Sequence, residues 1–147
     1  MPKKILVLNG PNLNLLGRRE PEIYGRATYA DLEREIHAAA ARWRLAATVK
    51  QSNHEGVLVD WIQAADGEFA GIVINPAAYT HTSVAILDAL KAVALPAVEV
   101  HLSAIETREK FRQHSYISPA CLATITGHGF AGYDEALALL AAKLVTN

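Results

Sequence analysis

The sequence predicts an α/β fold built on an open parallel sheet with helices on both faces, and three observations predict it. Short apolar runs alternate along the chain with longer segments of helical periodicity, the order expected of a parallel sheet whose crossovers are helices. Each run ends in polar or helix-breaking residues, where a strand would give way to a loop. The 147 residues, 51% of them hydrophobic, suffice for one sizeable core and leave no room for a second domain of ordinary size, so 1–147 is read as a single domain.

The first run, Lys4 to Leu8, stops at Asn9-Gly10-Pro11-Asn12, a cluster hostile to both helix and strand. A polar stretch from Gly17 to Arg26 follows; it is long for a strand-to-helix connection, and long loops of this kind often act as lids. Thr28 with Asp31 resembles a capping box, and Tyr29, Leu32, Ile36, Ala40 and Trp43 then repeat at helical spacing. Leu45 to Lys50 fits a second strand, Leu58 to Ala65 a second helix, and Ala70 to Ile74 a β-branched third strand. The next helix is expected from about Thr80, with Val84, Leu87 and Leu90 on its buried face, and a strand from Ala97 to Leu102 follows it. A short charged helix is expected over Thr107 to Gln113, a fifth strand over Leu122 to Thr126, and a closing helix over Tyr133 to Val145 with Leu137, Leu140 and Leu144 on one face. Five strands so interleaved favour a flavodoxin-like sheet, in which ligands bind beyond the carboxyl ends of the strands. The polar residues Asn12, Ser52, Asn53, His54, Asn75, Glu99, His101 and Ser103 all follow or end strands, so they should converge on one rim.

Composition narrows the function. Fourteen Lys and Arg against fifteen Asp and Glu give a formal net charge of −1, so no electrostatic footprint points to nucleic acid. Cys121 is the only cysteine, which excludes an intrachain disulfide and fits a reducing compartment, and the six histidines lack HExxH or related zinc spacing. The apolar run at Ile5–Leu8 is too short for a signal segment and no stretch approaches a membrane span, so a cytoplasmic protein is expected.

Within the rim, Glu99 and His101 lie two apart on a strand and face the same way, so a carboxylate there would hold one imidazole nitrogen and fix the tautomer of the other. The spacing equally suits two polar residues solvated at a strand end. The 18–26 loop carries Arg18, Arg19 and Arg26 around Tyr24; a cation near a phenol stabilises the phenolate and makes it a usable base, although a mobile basic loop has the same composition. Thr80 to Ser83 open a predicted helix, whose free N–H groups favour an anionic or strongly polar ligand. Capping by Thr80 or Thr82 explains the hydroxyls but not His81. Asp88 is about 10 Å further along the axis, too far to share one small ligand, so a substrate contact there implies a neighbouring subunit. Arg108 and Arg112 share a helical face suited to an oxyanion or hydroxyls, as also expected of a solvated charged helix, with Glu106 and Lys110 as a separate pair.

Four ordered motifs then combine: Asn9-Gly10-Pro11-Asn12-Leu13-Asn14, Arg19-Glu20-Pro21-x-Ile23-Tyr24-Gly25, Asn75-Pro76-x-x-Tyr79-Thr80-His81-Thr82-Ser83 and Glu99-Val100-His101-Leu102-Ser103. Together they closely resemble the type II 3-dehydroquinate dehydratases, over essentially the whole chain. The resemblance implies elimination of water from 3-dehydroquinate to give 3-dehydroshikimate through an enolate, in the shikimate route or in quinate breakdown, with no metal, cofactor or Schiff-base lysine. It implies Tyr24 as base, Arg19 as the charge-stabilising lid residue, His101 as acid, Glu99 as the carboxylate orienting it, and Asn12 as the group positioning a water against the enolate. It further implies that Asn75 and the backbone N–H groups of Leu102 and Ser103 hold the substrate carboxylate, while His81, Arg112 and Asp88 from another subunit hold its hydroxyls. The assembly implied is a homo-oligomer, a dodecamer built from trimers. The chain departs from the family pattern after Ser103, with Ala104 and Glu106 where Asn and, two positions later, His are common. A flavodoxin-like binding module for FMN would share the fold, but it should carry a Gly- or Ser/Thr-rich phosphate loop after the first strand, and Asn9-Gly10-Pro11-Asn12 is not one.

Overall fold

The computed structural model of the protein describes residues 1–18, 22 and 26–145. Among them are five strands, β1 (Lys3–Asn9), β2 (Leu45–Gln51), β3 (Gly71–Asn75), β4 (Ala97–His101) and β5 (Ala123–Thr126), and four α-helices, α1 (Tyr29–Arg42), α2 (Glu55–Ala64), α3 (Val84–Val93) and α4 (Ala131–Val145). The sheet is wholly parallel in the order β2-β1-β3-β4-β5, the doubly wound flavodoxin-like arrangement that the segment order predicts. Because the chain leaves β1 outward to β2 and returns to β3 on the other side, the carboxyl ends of β1 and β3 open the crevice in which such sheets bind ligands.

The central strands are apolar because both of their faces are covered. From β1, Ile5 and Val7 join Leu32 and Ile36 of α1 and Tyr133, Leu137 and Leu140 of α4. Leu6 and Leu8 turn the other way, to Leu58 and Ile62 of α2 and Ile86 and Leu90 of α3. Every residue of β3 and β4 is buried, including Asn75, Glu99 and His101.

Helix starts follow their caps. Thr28 and Asp31 form the reciprocal capping box of α1, with N···O distances of 3.2 and 2.9 Å. Trp43, expected on the buried face of α1, instead follows its last residue: it is 42% exposed and donates its indole N–H to Asp134 of α4 at 2.8 Å.

Two further expectations are corrected. The helix expected from Thr80 begins at Val84, and residues Ala77–His81 form a separate 3-10 turn. Ala77 takes a left-handed conformation (φ 53°) while its N–H is held by the Asn75 side-chain oxygen Oδ1 at 3.1 Å, and the cap is the hydroxyl of Ser83, 2.9 Å from the Ile86 nitrogen. The later start rotates the buried stripe to Ile86, Ala89 and Leu90, leaving Val84 49% exposed. The helix expected over Thr107–Gln113 is two 3-10 turns, Ile105–Thr107 and Lys110–Arg112, separated by extended backbone at Arg108 and Glu109. Side-chain demands split it: Glu109 pairs with both Arg108 and Arg112, and Gln113 donates to the Arg108 carbonyl at 2.8 Å. The Glu106–Lys110 pair expected of a continuous helix is replaced by Glu106 accepting the Thr126 hydroxyl at 3.1 Å.

Candidate active site at the carboxyl rim of the sheet

The loop after β1 and the turn after β3 are brought together at Gly10. Its N–H donates to the Asn75 carbonyl at 2.8 Å, and a Cβ at this position would stand 2.4 Å from the Pro76 carbonyl oxygen. Only glycine permits so close an approach. Asn12 then turns back in the left-handed region (φ 71°), a conformation asparagine tolerates better than most residues. Asn53, beyond β2, accepts the Asn12 N–H at 3.0 Å, and its own carbonyl accepts the Tyr79 hydroxyl at 2.8 Å. Ser52 accepts the His54 N–H at 3.0 Å. The post-β2 residues thus brace the rim from below.

The resulting cleft, of about 470 Å³ with its mouth included, is lined by Asn12, His81, His101, Leu102, Ser103 and Arg112, with Arg108 beside them. Pro11, Ala77, Ala78 and Ile105 complete the wall with apolar surface. Seven polar or backbone-presenting residues, from the end of β4 and the connections after β1, β3 and β4, therefore meet in one small concavity, the kind of place where small ligands bind.

Its electrostatics are set by hydrogen bonds. His81 Nδ1 lies 2.8 Å from the carbonyl oxygen of His114. A carbonyl only accepts, so Nδ1 carries the hydrogen and Nε2 of the neutral ring is an acceptor. Burial, reinforced by the charges of His101 and Arg112 and opposed by the His114 bond, lowers the His81 pKa and keeps the ring neutral. His101 Nε2 is hydrogen-bonded to Glu99 Oε2, so the period-two geometry of the strand does join carboxylate and imidazole. Glu99 is completely buried and also accepts the hydroxyls of Ser115, at 2.8 Å, and Thr124, at 3.0 Å. The imidazole is thereby left to present Nδ1 as its exchangeable nitrogen. Arg112 is tied to Glu109 at 3.0 Å and Arg108 reaches Ser103 Oγ at 3.3 Å, so both cations line the cleft although no helix joins them.

Besides Glu99, which lies buried behind His101, Asn75 and Asp88 stand outside the cleft wall. Asn75 is 3% exposed, with Oδ1 on the Ala77 N–H and Nδ2 donating to the Tyr133 hydroxyl at 3.2 Å, which leaves one amide hydrogen without a partner among the described residues. Asp88 lies exposed on α3, away from the cleft. Tyr24 and Arg19, the expected base and its cation, lie outside the described residues. Residues that sequence reasoning did not single out support the site: Ser115 and Thr124 around Glu99, and Asn9, whose Oδ1 accepts the Tyr133 hydroxyl at 2.6 Å. Asn9 could have been suspected as a polar residue at the end of an otherwise apolar strand; Ser115 and Thr124 carry no local signal.

The chain matches the family model for dehydroquinase class II over residues 3–141. A 3-dehydroquinate dehydratase from a strain of Rhodopseudomonas palustris is 58% identical over 145 residues, covering 98% of this chain and 96% of the relative. The crystal structure of type II dehydroquinase from Butyrivibrio crossotus superposes with a TM-score of 0.92 at 46% identity, covering 95% of this chain and 97% of that one. That from Propionibacterium acnes also gives 0.92 at 46%, covering 97% and 98%. With the flavodoxin-like sheet, the rim cleft and matches that span nearly its whole length, the chain belongs to the class II dehydroquinase family of hydro-lyases.

Proposed function

We propose that this protein removes water from 3-dehydroquinate to give 3-dehydroshikimate, with His101 as the general acid and Tyr24 as the general base. The observation that carries this reading is the buried Glu99–His101 pair opening into the rim cleft. Elimination next to a ketone needs a base for the α-proton, a stabiliser for the enolate and an acid for the departing hydroxyl. Tyr24, as phenolate beside the Arg19 cation, takes the proton; the electron pair moves onto the carbonyl oxygen, where a water positioned by Asn12 stabilises the enolate. The enolate then collapses to the conjugated enone, and the hydroxyl leaves as water with the proton given by His101.

The neutral His81, with Nε2 as acceptor, suits a substrate hydroxyl. Arg112 and Asp88 of the partner subunit would hold further hydroxyls, while Asn75 and the backbone N–H groups of Leu102 and Ser103 would hold the carboxylate. That division of labour accounts for Asp88 facing away from its own cleft. It calls for a homo-oligomer, a dodecamer built from trimers on the family's pattern, and the reaction fits a cytoplasmic enzyme of the shikimate route or of quinate breakdown.

The test is ultraviolet absorbance of the enone as purified protein meets 3-dehydroquinate with EDTA present and no cofactor added. A catalysed rise is expected, reduced by about 10²- to 10⁴-fold in Tyr24→Phe and in His101→Ala. No rise from folded wild-type protein would overturn the reading, and near wild-type rates in either variant would overturn its role assignments.

A further inference from the structure

The Glu99 carboxylate has no solvent exposure, and three donors from three segments converge on it: His101 of β4, Ser115 of the loop beyond Arg112, and Thr124 of β5. An ionised carboxylate is an acceptor only, and burying one requires that its lone pairs be met. Ser115 Oγ itself accepts the Ser118 N–H at 3.2 Å, so its hydroxyl hydrogen is directed to Glu99. Thr124 stands opposite Glu99 in the β4–β5 register, and its hydroxyl is the one partner of Oε1 among the described residues. The same loop fixes the second imidazole of the cleft. One residue before Ser115, the His114 carbonyl accepts from His81, and the Tyr116 N–H is held by the Thr80 carbonyl at 2.9 Å.

We propose that Ser115 and Thr124 are positioning residues for the dehydration. By holding Glu99 as a fixed acceptor they impose the Nε2–H tautomer on His101 and reserve Nδ1 for the proton it gives and regains. The proposal rests on the reading of His101 as the acid. Without the Thr124 hydroxyl, Oε1 is a buried oxygen with no donor among the described residues. The carboxylate is then free to turn away from the imidazole, and the tautomer is no longer specified. Ser115 works on the other oxygen, which it shares with His101. The Thr124 hydroxyl acts through Glu99, so its removal touches the proton transfer and not the groups that grip substrate, whereas Ser115 also braces the loop whose His114 carbonyl fixes His81.

Thr124→Val keeps the shape and removes the hydroxyl; Thr124→Ser keeps the hydroxyl. Thr124 is exposed on an edge strand, so both variants are expected to fold. Valine should lower kcat by roughly 10-fold or more with KM within about 2-fold, the signature of a group acting in the transition state, and serine should restore kcat to within about 2-fold of wild type. Ser115→Ala should lower kcat in the same way and, through the loop that fixes His81, raise KM as well. With the His101 ring deprotonated at alkaline pH, its nitrogen chemical shifts should report one Nε2–H tautomer in wild type and in Thr124→Ser, and a mixture in Thr124→Val, independently of turnover. Equal behaviour of valine and serine variants, or an unaltered His101 tautomer in the valine variant, would overturn the proposal. His101→Ala is measured alongside: if it is crippled while Thr124→Val is unimpaired, only this inference fails, whereas an active His101→Ala removes the reading beneath it as well.

Discussion

Tyr133→Phe deletes one oxygen from the centre of the molecule, and the structure sets what that should cost. Tyr133 is wholly buried at the start of α4; its hydroxyl donates to Asn9 at 2.6 Å and accepts from Asn75 at 3.2 Å. Asn9 and Asn75 end β1 and β3 and are 0% and 3% exposed, so water has no ready route to replace the lost partner. Each keeps one other bond, Asn9 to the Tyr29 hydroxyl and Asn75 to the Ala77 N–H. Leaving a buried donor or acceptor unpaired costs about 1–3 kcal/mol, and phenylalanine recovers part of that by not burying a hydroxyl, so a net loss of about 2–4 kcal/mol is expected. Unfolding entropy near 2.1 cal/mol/K per residue gives about 0.3 kcal/mol/K for a chain of this length, so the melting temperature should fall by roughly 6 to 13 °C. The measurement is urea and thermal unfolding followed by circular dichroism at matched protomer concentration, which removes mass-action effects of assembly. Tyr29→Phe is the comparator: its hydroxyl sits at the edge of the network, 3.3 Å from Asn9, and its removal should cost less than about 1 kcal/mol. A Tyr133→Phe protein within about 0.5 kcal/mol of wild type would refute the reasoning, since the two asparagines would then not depend on this hydroxyl.

Gly10→Ala places a Cβ where the Pro76 carbonyl oxygen is 2.4 Å away; the loop after β1 must separate from the turn after β3, and both stability and turnover should fall, which parallel unfolding and enone assays would detect. Cys121 ionises at an alkaline pH that burial, with the nearby Glu99 charge, pushes up from 9.0 to about 12. The unfolded thiol loses its proton first, so the contribution of this group to stability is complete below about pH 9 and is lost as pH rises toward the folded value, by up to about 1.4 kcal/mol per pH unit. Burial also raises the Tyr133 phenol, which adds its own loss above about pH 10. Cys121→Ala should therefore flatten the decline in unfolding free energy between about pH 9 and 10, and identical slopes for the two proteins would count against the buried-thiol account.

Much of the fold was legible because the relevant signals are local. The alternation of apolar runs and helical periodicities sets the element order, and Thr28 with Asp31 announces the start of α1 by chemistry confined to four residues. The start of α3 was misread because Thr80 and Thr82 are as good cap formers as Ser83. Asn75 decides between them by drawing Ala77 into a left-handed turn that delays the helix. Likewise the charged segment after β4 has helical composition, and its break at Arg108 and Glu109 comes from where Ser103 and the two arginines lie in space.

The sequence by itself determined the doubly wound order, hence the rim on which the polar residues gather, and the shared face of Glu99 and His101, since strand period fixes which way neighbouring side chains point. Only the tertiary structure decided who meets them. Ser115 and Thr124 reach Glu99 from 16 and 25 residues away, and Tyr133 reaches Asn9 across 124. Periodicity reports a side chain's direction from its own element, whereas these meetings depend on strand register and on how each crossover packs against the sheet.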